Sequence, residues 1–600
     1  MEKVTLTIDH IEVEVPKDYT ILQAAKTVGV DIPTLCYLKD TNEIGACRVC
    51  LVEVEGARSL QASCVQPVAE GLVIKTNTKK LRSARKSTVE LILSNHNREC
   101  LTCFRNKSCE LQSLAEELNI TEIAFEGEKT ETTIDQLSST LVRDSSKCIL
   151  CGRCVSVCKD VQKTGILEFT NRGFETQVSP AFNKSMDETP CIHCGQCVAV
   201  CPVAALKEKE DLEQVWDAIE DPDVHVVVQT APAVRAALGE EFGLPIGSRV
   251  TGKMVAAIKR LGVDQVFDTN FGADLTIMEE GHELLSRLKS NQNLPMITSC
   301  SPGWVRYCEF NYPEFLDNLS TCKSPHQMLG AVIKTYYAEK QQIDPKKIFV
   351  VSIMPCTAKK SESARPELSV NGLRDVDAVL TTRELAKMIK QARVEFTKLP
   401  DVDFDPALGE YTGAGAIFGA TGGVMEAALR TLADTLSGEE LEAIEYHDIR
   451  GTKGIKEADV QLGGQTVKIA VAHGTAMAAK LLEMVKSGEK EYHFIEMMGC
   501  SGGCVSGGGQ PHVPARVKMD MDIRVERAKA LYQEDTVKAL RKSYENPLII
   551  KLYKEFLGKP GGHKSHDILH TYYTAREKFP VETVKETVVL PVKESATAAK

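Results

Sequence analysis

Two cysteine runs hold the densest chemistry in this sequence: Cys148-x2-Cys151-x2-Cys154-x3-Cys158 and Cys191-x2-Cys194-x2-Cys197-x3-Cys201-Pro202. Three thiolates two residues apart wrap one iron–sulfur cubane, and the fourth, three residues on, reaches a neighbouring cubane. The spacing therefore assigns Cys148, Cys151, Cys154 and Cys201 to one 4Fe-4S cluster. Cys191, Cys194, Cys197 and Cys158 belong to a second. Zinc ribbons also use C-x2-C pairs, but they need separate sets of four ligands rather than two interlocked sets. Lys159 stands where the second run has Pro202, so only one run completes the motif.

This doubled run resembles the bacterial two-cluster ferredoxins. Upstream, Cys36-x10-Cys47-x2-Cys50-x13-Cys64 places four thiols within residues 1–78. The central C-R-V-C followed by L-V-E-V-E-G resembles the cluster loop of plant-type 2Fe-2S ferredoxins, although the first interval exceeds their C-x4-C spacing. Zinc is the competing reading. Next, His96-x3-Cys100-x2-Cys103-x5-Cys109 offers one imidazole and three thiols. In isolation that set suits zinc. Between two iron–sulfur modules it resembles the 4Fe-4S module of complex I's large iron–sulfur subunit and of large hydrogenases. A neutral imidazole ligand raises a cluster's potential relative to four thiolates. The alternative is that His96 is only a surface residue closing a helix.

These motifs need a scaffold of several parts. A chain of 600 residues suggests about four domains. Its 43% apolar content permits sizeable cores, and a net charge of −11 argues against nucleic-acid or anionic-membrane partners. No run of 18 apolar residues predicts a membrane span. The start, V-T-L-T-I-D-H-I-E-V-E-V, alternates like a strand and lacks the charged and apolar regions of a signal peptide. Metal thiolates in a reducing cytoplasm are the expectation. Export alongside a partner that carries the signal stays open.

The expected fold is multidomain, α+β and α/β. Residues 1–78 form a β-grasp 2Fe-2S ferredoxin module, 79–125 a helical cluster module with one histidine and three cysteines, and 126–210 the two-cluster ferredoxin module. A large α/β domain covers 211–575 and a mobile tail 576–600. The α/β reading rests on β-branched runs such as H-V-V-V-Q-T, K-I-F-V-V-S-I-M and Y-H-F-I-E-M-M alternating with amphipathic helices. Several runs end directly in Pro, Cys or Gly, where α/β folds place their sites.

Three such ends carry the remaining chemistry: Thr298-Ser-Cys300-Ser301-Pro302-Gly-Trp304, Met354-Pro355-Cys356-Thr-Ala-Lys359, and Glu496-Met-Met498-Gly-Cys500-Ser-Gly-Gly-Cys504 running on to Pro511. Together they resemble the signature loops of iron-only (FeFe) hydrogenases of the long clostridial type, over about residues 1–575. The resemblance implies an H-cluster: a 4Fe-4S cubane joined by a thiolate to a diiron unit carrying CO, cyanide and a dithiolate bridge. It implies cubane ligation by Cys356, Cys500 and Cys504, with Cys504 bridging to the diiron unit. Lys359 would donate to a cyanide ligand. Pro232, Met354, Phe418 and Met498 would line the pocket. A relay of Cys300, Glu280, Ser320, Glu283 and Arg287 would carry protons. Glu283 and Arg287 also fit a plain i,i+4 surface pair.

The first loop departs from the family's T-S-C-C-P. Cys300 maps to the proton-donating thiol, and Ser301 maps to a cubane ligand. Either Ser301 supplies the fourth ligand through its oxygen, or Cys300 shifts to do so; the register set by Pro302 favours Ser301. A hard oxygen ligand lowers the cubane potential. His326 replaces an expected glutamine, without an account of its effect. Cys308 and Cys322 read as packing residues. Gly413-Ala-Gly415-Ala-Ile-Phe-Gly419 lacks the dinucleotide spacing.

The implied activity is reversible oxidation of H2, with ferredoxin or a similar carrier exchanging electrons at the surface clusters. The hydrogen couple near neutral pH, roughly −0.4 V, matches plant-type ferredoxins at about −400 mV. Maturation proteins would install the diiron unit. The alternatives are a non-catalytic sensor or iron–sulfur assembly relative, and the catalytic subunit of a bifurcating NAD-linked complex with a flavoprotein.

Overall fold

The computed structural model describes residues 2–437, 445–462 and 464–579. Alternation builds the amino-terminal module. In Lys3–Ile8, Val4, Leu6 and Ile8 all point inward, as a period of two requires. This strand pairs antiparallel with Ile11–Pro16 and parallel with Val73–Lys75 in a five-stranded sheet. Helix Ile21–Thr27 lies between them in sequence and begins on a capping box of Thr20 and Gln23. Helix Lys79–Asn95 follows, and its C-cap His96 turns extended and buried.

The two-cluster module has a pseudo-repeat. Helices Arg153–Ser156 and Gln196–Val200 each start from a left-handed glycine, Gly152 and Gly195. A small sheet of Ile134–Asp135, Leu141–Asp144 and Leu206–Glu208 closes it. Both upstream modules dock here. Asn42 donates to the carbonyls of Cys36 (2.7 Å) and Cys151 (3.0 Å). Arg153 pairs with Glu110 at 2.8 Å, and Arg105 donates to the Cys201 carbonyl at 3.3 Å.

The large domain is α/β with two sheets. The first is parallel, in the order Gln265–Asp268, His225–Thr230, Ile348–Met354, Ala378–Thr381. His225–Thr230 is buried from its second residue onward, which is why its three valines, Val226, Val227 and Val228, are consecutive rather than alternating with polar residues. The second sheet orders Met296–Ile297, Phe494–Met498, Gln465–His473 and Ile455–Leu462. Only its last pair is antiparallel. The parallel strands of both sheets deliver their carboxyl ends to one region.

Helix Thr269–Ser290 lies beside that region, capped by Asp268, whose carboxylate accepts from Asn270 N at 3.0 Å. Among the described residues no helix is long and apolar enough to cross a membrane. Of the expected tail, 576–579 are described, and 580–600 lie outside the described residues.

Candidate functional site

All 21 cysteines are free thiols, and they gather in groups. Cys50 Sγ lies 3.3 Å from Cys64 Sγ, and Cys36 interacts with Cys47 and Cys64. One cavity is lined by Cys148, Cys151, Cys154 and Cys201, and a second by Cys158, Cys191, Cys194 and Cys197. Burial pushes Cys151 and Cys191 up to about 12, and Cys194 and Cys197 well above the ordinary thiol value. Such thiols give up their protons when a metal takes their place. The donor sets therefore fit iron–sulfur clusters.

His96 fits a ligand better than a surface residue. It is buried, its Nδ1 has no protein partner, and burial lowers its pKa to about 4, which keeps it neutral. Cys103 and Cys109 are half-buried and Cys100 is exposed, so this set opens toward solvent.

The Cys191 loop meets the large domain over backbone contacts. Thr357 Oγ1 donates to the His193 carbonyl at 2.7 Å, and Arg306 Nε to that of Cys191 at 2.6 Å. A Cβ on Gly508 would stand 2.2 Å from the Cys194 carbonyl oxygen, so only glycine permits the approach. Gln196 crosses the boundary and places Nε2 3.3 Å from Cys500 Sγ.

Beyond that boundary, Cys356 follows strand Ile348–Met354, and Cys500 and Cys504 follow Phe494–Met498. All three thiols are pushed up, first by burial; Cys504 reaches about 12, and Cys356 adds to the rise at Cys500 and Cys504. Gly503 sits at φ 94°, and a Cβ there would lie 2.7 Å from Thr421 N. That glycine presses the Cys504 loop onto the Gly413–Gly423 stretch, where Val505 N donates to Gly419 O at 3.0 Å. Ala231 N donates to Ile353 O at 2.9 Å, which draws the Pro232 and Met354 strand ends together. Phe418 and Met498 share an apolar cluster against which Cys300 packs.

Loop one is fixed by Trp304, fully buried, whose indole donates to Thr298 O at 3.1 Å. Ser301 Oγ accepts from Gly499 N at 3.0 Å, beside Cys500. Burial, then the charges of Glu280 and Cys504, push the Cys300 thiol well above its ordinary range, with Lys359 opposing them.

Glu280 is buried in helix Thr269–Ser290, and burial plus the charge of Glu283 raises it to about 8. One helical turn on, Glu283 accepts from Ser320 Oγ at 2.8 Å and from Arg287 at 2.7 Å.

Lys359 is buried and donates to the Cys300 carbonyl at 3.0 Å. It also pairs with Glu362 at 2.8 Å. His326 supplies the support: Nδ1 lies 2.9 Å from Ser352 Oγ and Nε2 2.5 Å from Glu362. Burial, aided by Lys359, holds His326 neutral with a pKa near about 4. Burial opposes ionisation of Glu362, yet Lys359 and His326 lower it to about 2. Glu362 escaped the sequence reading, although its i,i+3 offset from Lys359 is a visible signal. Gln196 had no such signal. Cys308 packs, donating to Tyr312 O at 3.4 Å. Cys322 does more than pack, since its Sγ lies 3.9 Å from Glu283.

Comparison with known proteins agrees with this geometry. The family described as "Iron only hydrogenase large subunit, C-terminal domain" matches residues 224–508, and "Iron hydrogenase small subunit" matches 521–576. The "NADP-reducing hydrogenase subunit HndD" of Solidesulfovibrio fructosivorans is 50% identical over 96% of this chain and 100% of its own length. The chain belongs to the iron-only hydrogenase family. "Iron hydrogenase 1" of Clostridium pasteurianum is 47% identical over 95% of this chain and 99% of its own. A solved variant of the FeFe hydrogenase HydA1 of Chlamydomonas reinhardtii is 41% identical, with TM-score 0.55 over 61% of this chain and 98% of that one. The amino-terminal part of this hydrogenase relative matches the "2Fe-2S iron-sulfur cluster binding domain" at 1–79 and the "4Fe-4S dicluster domain" at 120–205. Residues 85–124 match the "NADH-ubiquinone oxidoreductase-G iron-sulfur binding region".

Proposed function

We propose that this chain catalyses the reversible oxidation of H2 to protons and electrons at an H-cluster in the large domain. Cys356, Cys500 and Cys504 would hold its cubane, with Ser301 supplying the fourth ligand. When bound, that group supplies the redox chemistry. The observation that carries the reading is the convergence of the three loops. Ser301 Oγ accepts from Gly499 N at 3.0 Å beside Cys500, and Lys359 of the Cys356 loop donates to the Cys300 carbonyl at 3.0 Å, which supports ligation by Ser301 with Cys300 left for proton transfer.

The chain's own groups then have distinct tasks. Glu280, neutral below about pH 8, exchanges a proton with Cys300 on one side and the Ser320–Glu283 pair on the other. Lys359, held by Glu362, keeps a positive charge beside the cofactor pocket. Pro232, Met354, Phe418 and Met498 exclude water from it. Cys158, Cys191, Cys194 and Cys197, next to Cys500, would hold one 4Fe-4S cluster and Cys148, Cys151, Cys154 and Cys201 another, and these groups would supply electron transfer when bound. The 2Fe-2S set and the His96 set each contact the latter module, through Asn42 and Arg105 respectively. The exposed Cys100 side is the proposed docking point for ferredoxin or a similar carrier.

A second reading concerns only the electron partner. HndD is named an NADP-reducing hydrogenase subunit, which favours work within a complex whose flavoprotein carries nicotinamide chemistry.

Infrared spectroscopy of matured protein, with deuterium exchange between gas and water, tests the activity. Bands of CO and cyanide together with exchange are expected. An assembled diiron unit without exchange overturns it.

A further inference from the structure

We propose that Glu283, Cys322 and His570 form a binding site for a single Zn2+ ion, and that its occupation shuts the proton relay at Glu283. The effect on turnover rests on the hydrogenase reading above, whereas binding of the ion can be read without it.

The three donors come from distant parts of the chain. Glu283 lies on helix Thr269–Ser290, Cys322 follows Ser320 on a connecting segment, and His570 ends helix His563–Leu569. An isolated antiparallel bridge joins the backbones of Cys322 and His570, and Lys323 N donates to Leu569 O at 2.8 Å. A Glu283 oxygen, Cys322 Sγ and a His570 ring nitrogen all lie within 4.8 Å of one another. Among the described residues no other three His, Cys, Asp or Glu donors meet that closely. Zinc bonds of about 2.3 Å to sulfur and about 2.0 Å to nitrogen set tetrahedral ligands about 3.5 Å apart, so movements of about 1 Å close this site around an ion.

Each donor is presented in the form a cation needs. His570 Nε2 lies 3.2 Å from Glu279, so the ring carries its proton there and turns the Nδ1 lone pair toward Thr321 Oγ1, 2.8 Å away. A metal-ligating imidazole gives its other N–H to a carboxylate in this way. Burial opposes ionisation of Glu279, but bonds from His570, Tyr553 and Gly561 hold its pKa below the ordinary value. Thr321 Oγ1 is also 3.3 Å from Glu283 Oε1, and Cys322 Sγ is 3.9 Å from Oε2. The ion takes the place of the hydroxyl and thiol hydrogens that now lie between these atoms.

The charges favour a cation. Burial, then Glu283, Glu280 and Glu279, push the Cys322 thiol well above its ordinary range. Arg287 bonds to Glu283 at 2.7 Å, and the carboxylates of Glu279 and Glu283 outnumber it by one charge. A bound Zn2+ displaces the thiol proton to solvent, and no electron moves. The thiolate and two carboxylates then balance the ion and Arg287, and a water completes four ligands. One sulfur, one nitrogen and one oxygen suit Zn2+ rather than Mg2+, which takes oxygen. The Glu283 side chain is 14% exposed, which gives the ion its way in. Glu283 then holds a metal where it would otherwise take a proton from Ser320 Oγ, 2.8 Å away.

The test adds Zn2+, with Mg2+ as the control, to full-length, fully loaded enzyme. Zinc should lower turnover by about 10²-fold while the infrared bands and the EPR signals of the accessory clusters stay unchanged, and a chelator should restore the rate. Mg2+ should have no effect. Anomalous diffraction at the zinc edge should place the ion between the three donors. Cys322→Ala and His570→Gln should turn over like the parent without zinc and need about 10²-fold more zinc for the same loss. Glu279→Gln, which removes the charge behind the ring, should need about 10-fold more. Equal zinc sensitivity in the parent and all three variants, cluster signals lost in step with turnover, or an ion seated elsewhere overturns the proposal. Zinc bound between the donors with turnover unchanged overturns it as well. An untreated parent with infrared bands but no deuterium exchange would instead count against the hydrogenase reading, and diffraction would still decide whether the ion binds.

Discussion

Gln196 Nε2 lies 3.3 Å from Cys500 Sγ, while the same nitrogen donates to Ser506 O at 2.9 Å. One amide thus joins the two-cluster module to the third loop of the large domain. Hydrogen bonds to a ligating sulfur stabilise the reduced, more negative cluster and raise its potential. Gln196→Leu should lower the cubane potential by about 40 mV, on the order of 1 kcal/mol for one electron. An anaerobic redox titration followed by EPR measures this. An unchanged potential would mean that the contact only packs.

Glu280 joins activity to pH. A free glutamate titrates near about 4.3, whereas burial and Glu283 raise this one to about 8. The folded chain thus binds the proton more tightly than the unfolded chain. That stabilisation is complete below about pH 4 and fades as pH climbs toward about 8. Glu280→Gln, always neutral, should lose less thermal stability than the parent between about pH 6 and pH 9. Its H2 turnover should meanwhile fall by about 10²–10⁴-fold with the infrared bands intact. Equal pH slopes in thermal melts of the two proteins would contradict the raised pKa.

How far the sequence reveals all this depends on how local each signal is. The strands of the large domain were legible because His225–Thr230 and Ile348–Met354 are buried over nearly their full length, and burial on both faces writes several apolar residues in succession. The grouping of Cys201 with Cys148, Cys151 and Cys154 around one cavity, and of Cys158 with Cys191, Cys194 and Cys197 around another, was legible because cysteine spacing is a local signal. Glu362 was half-visible, as one helical step from Lys359. Gln196 and His570 were not visible. The atoms they meet are on Cys500 and Thr321, separated by 304 and 249 residues, and only the fold brings them near. His326 stands out in the sequence, but its role needs Ser352 and Glu362, which come from a different strand and helix.

Gly503 offers a test of backbone tolerance. Its φ of 94° is left-handed, and a Cβ would stand 2.7 Å from Thr421 N and 2.9 Å from Gly419 O. Neither contact is a flexible side chain that can swing away. Gly503→Ala should cost about 1–3 kcal/mol from backbone strain alone and shift Cys504 away from Cys356 and Cys500. Iron analysis should then show a deficit confined to the large domain, with the amino-terminal clusters still filled. Full iron loading and an unchanged melting temperature would show that the loop accommodates a methyl group.

Ser301 is the position where ligand chemistry can be changed with least disturbance. Its Oγ accepts from Gly499 N at 3.0 Å, and it is the N-cap of helix Pro302–Asn311, so its backbone is set independently of the side chain. Ser301→Cys exchanges a hard oxygen for a softer thiolate, which suits iron in a cubane better. The substitution should raise the cubane potential and retain iron more firmly against a chelator. It should leave Cys300 to proton transfer, so the pH profile of turnover stays that of the parent. The opposite pattern, an altered pH profile with an unmoved potential, would mean that Cys300 is the fourth ligand in the native chain and that substitution at 301 returns it to the relay.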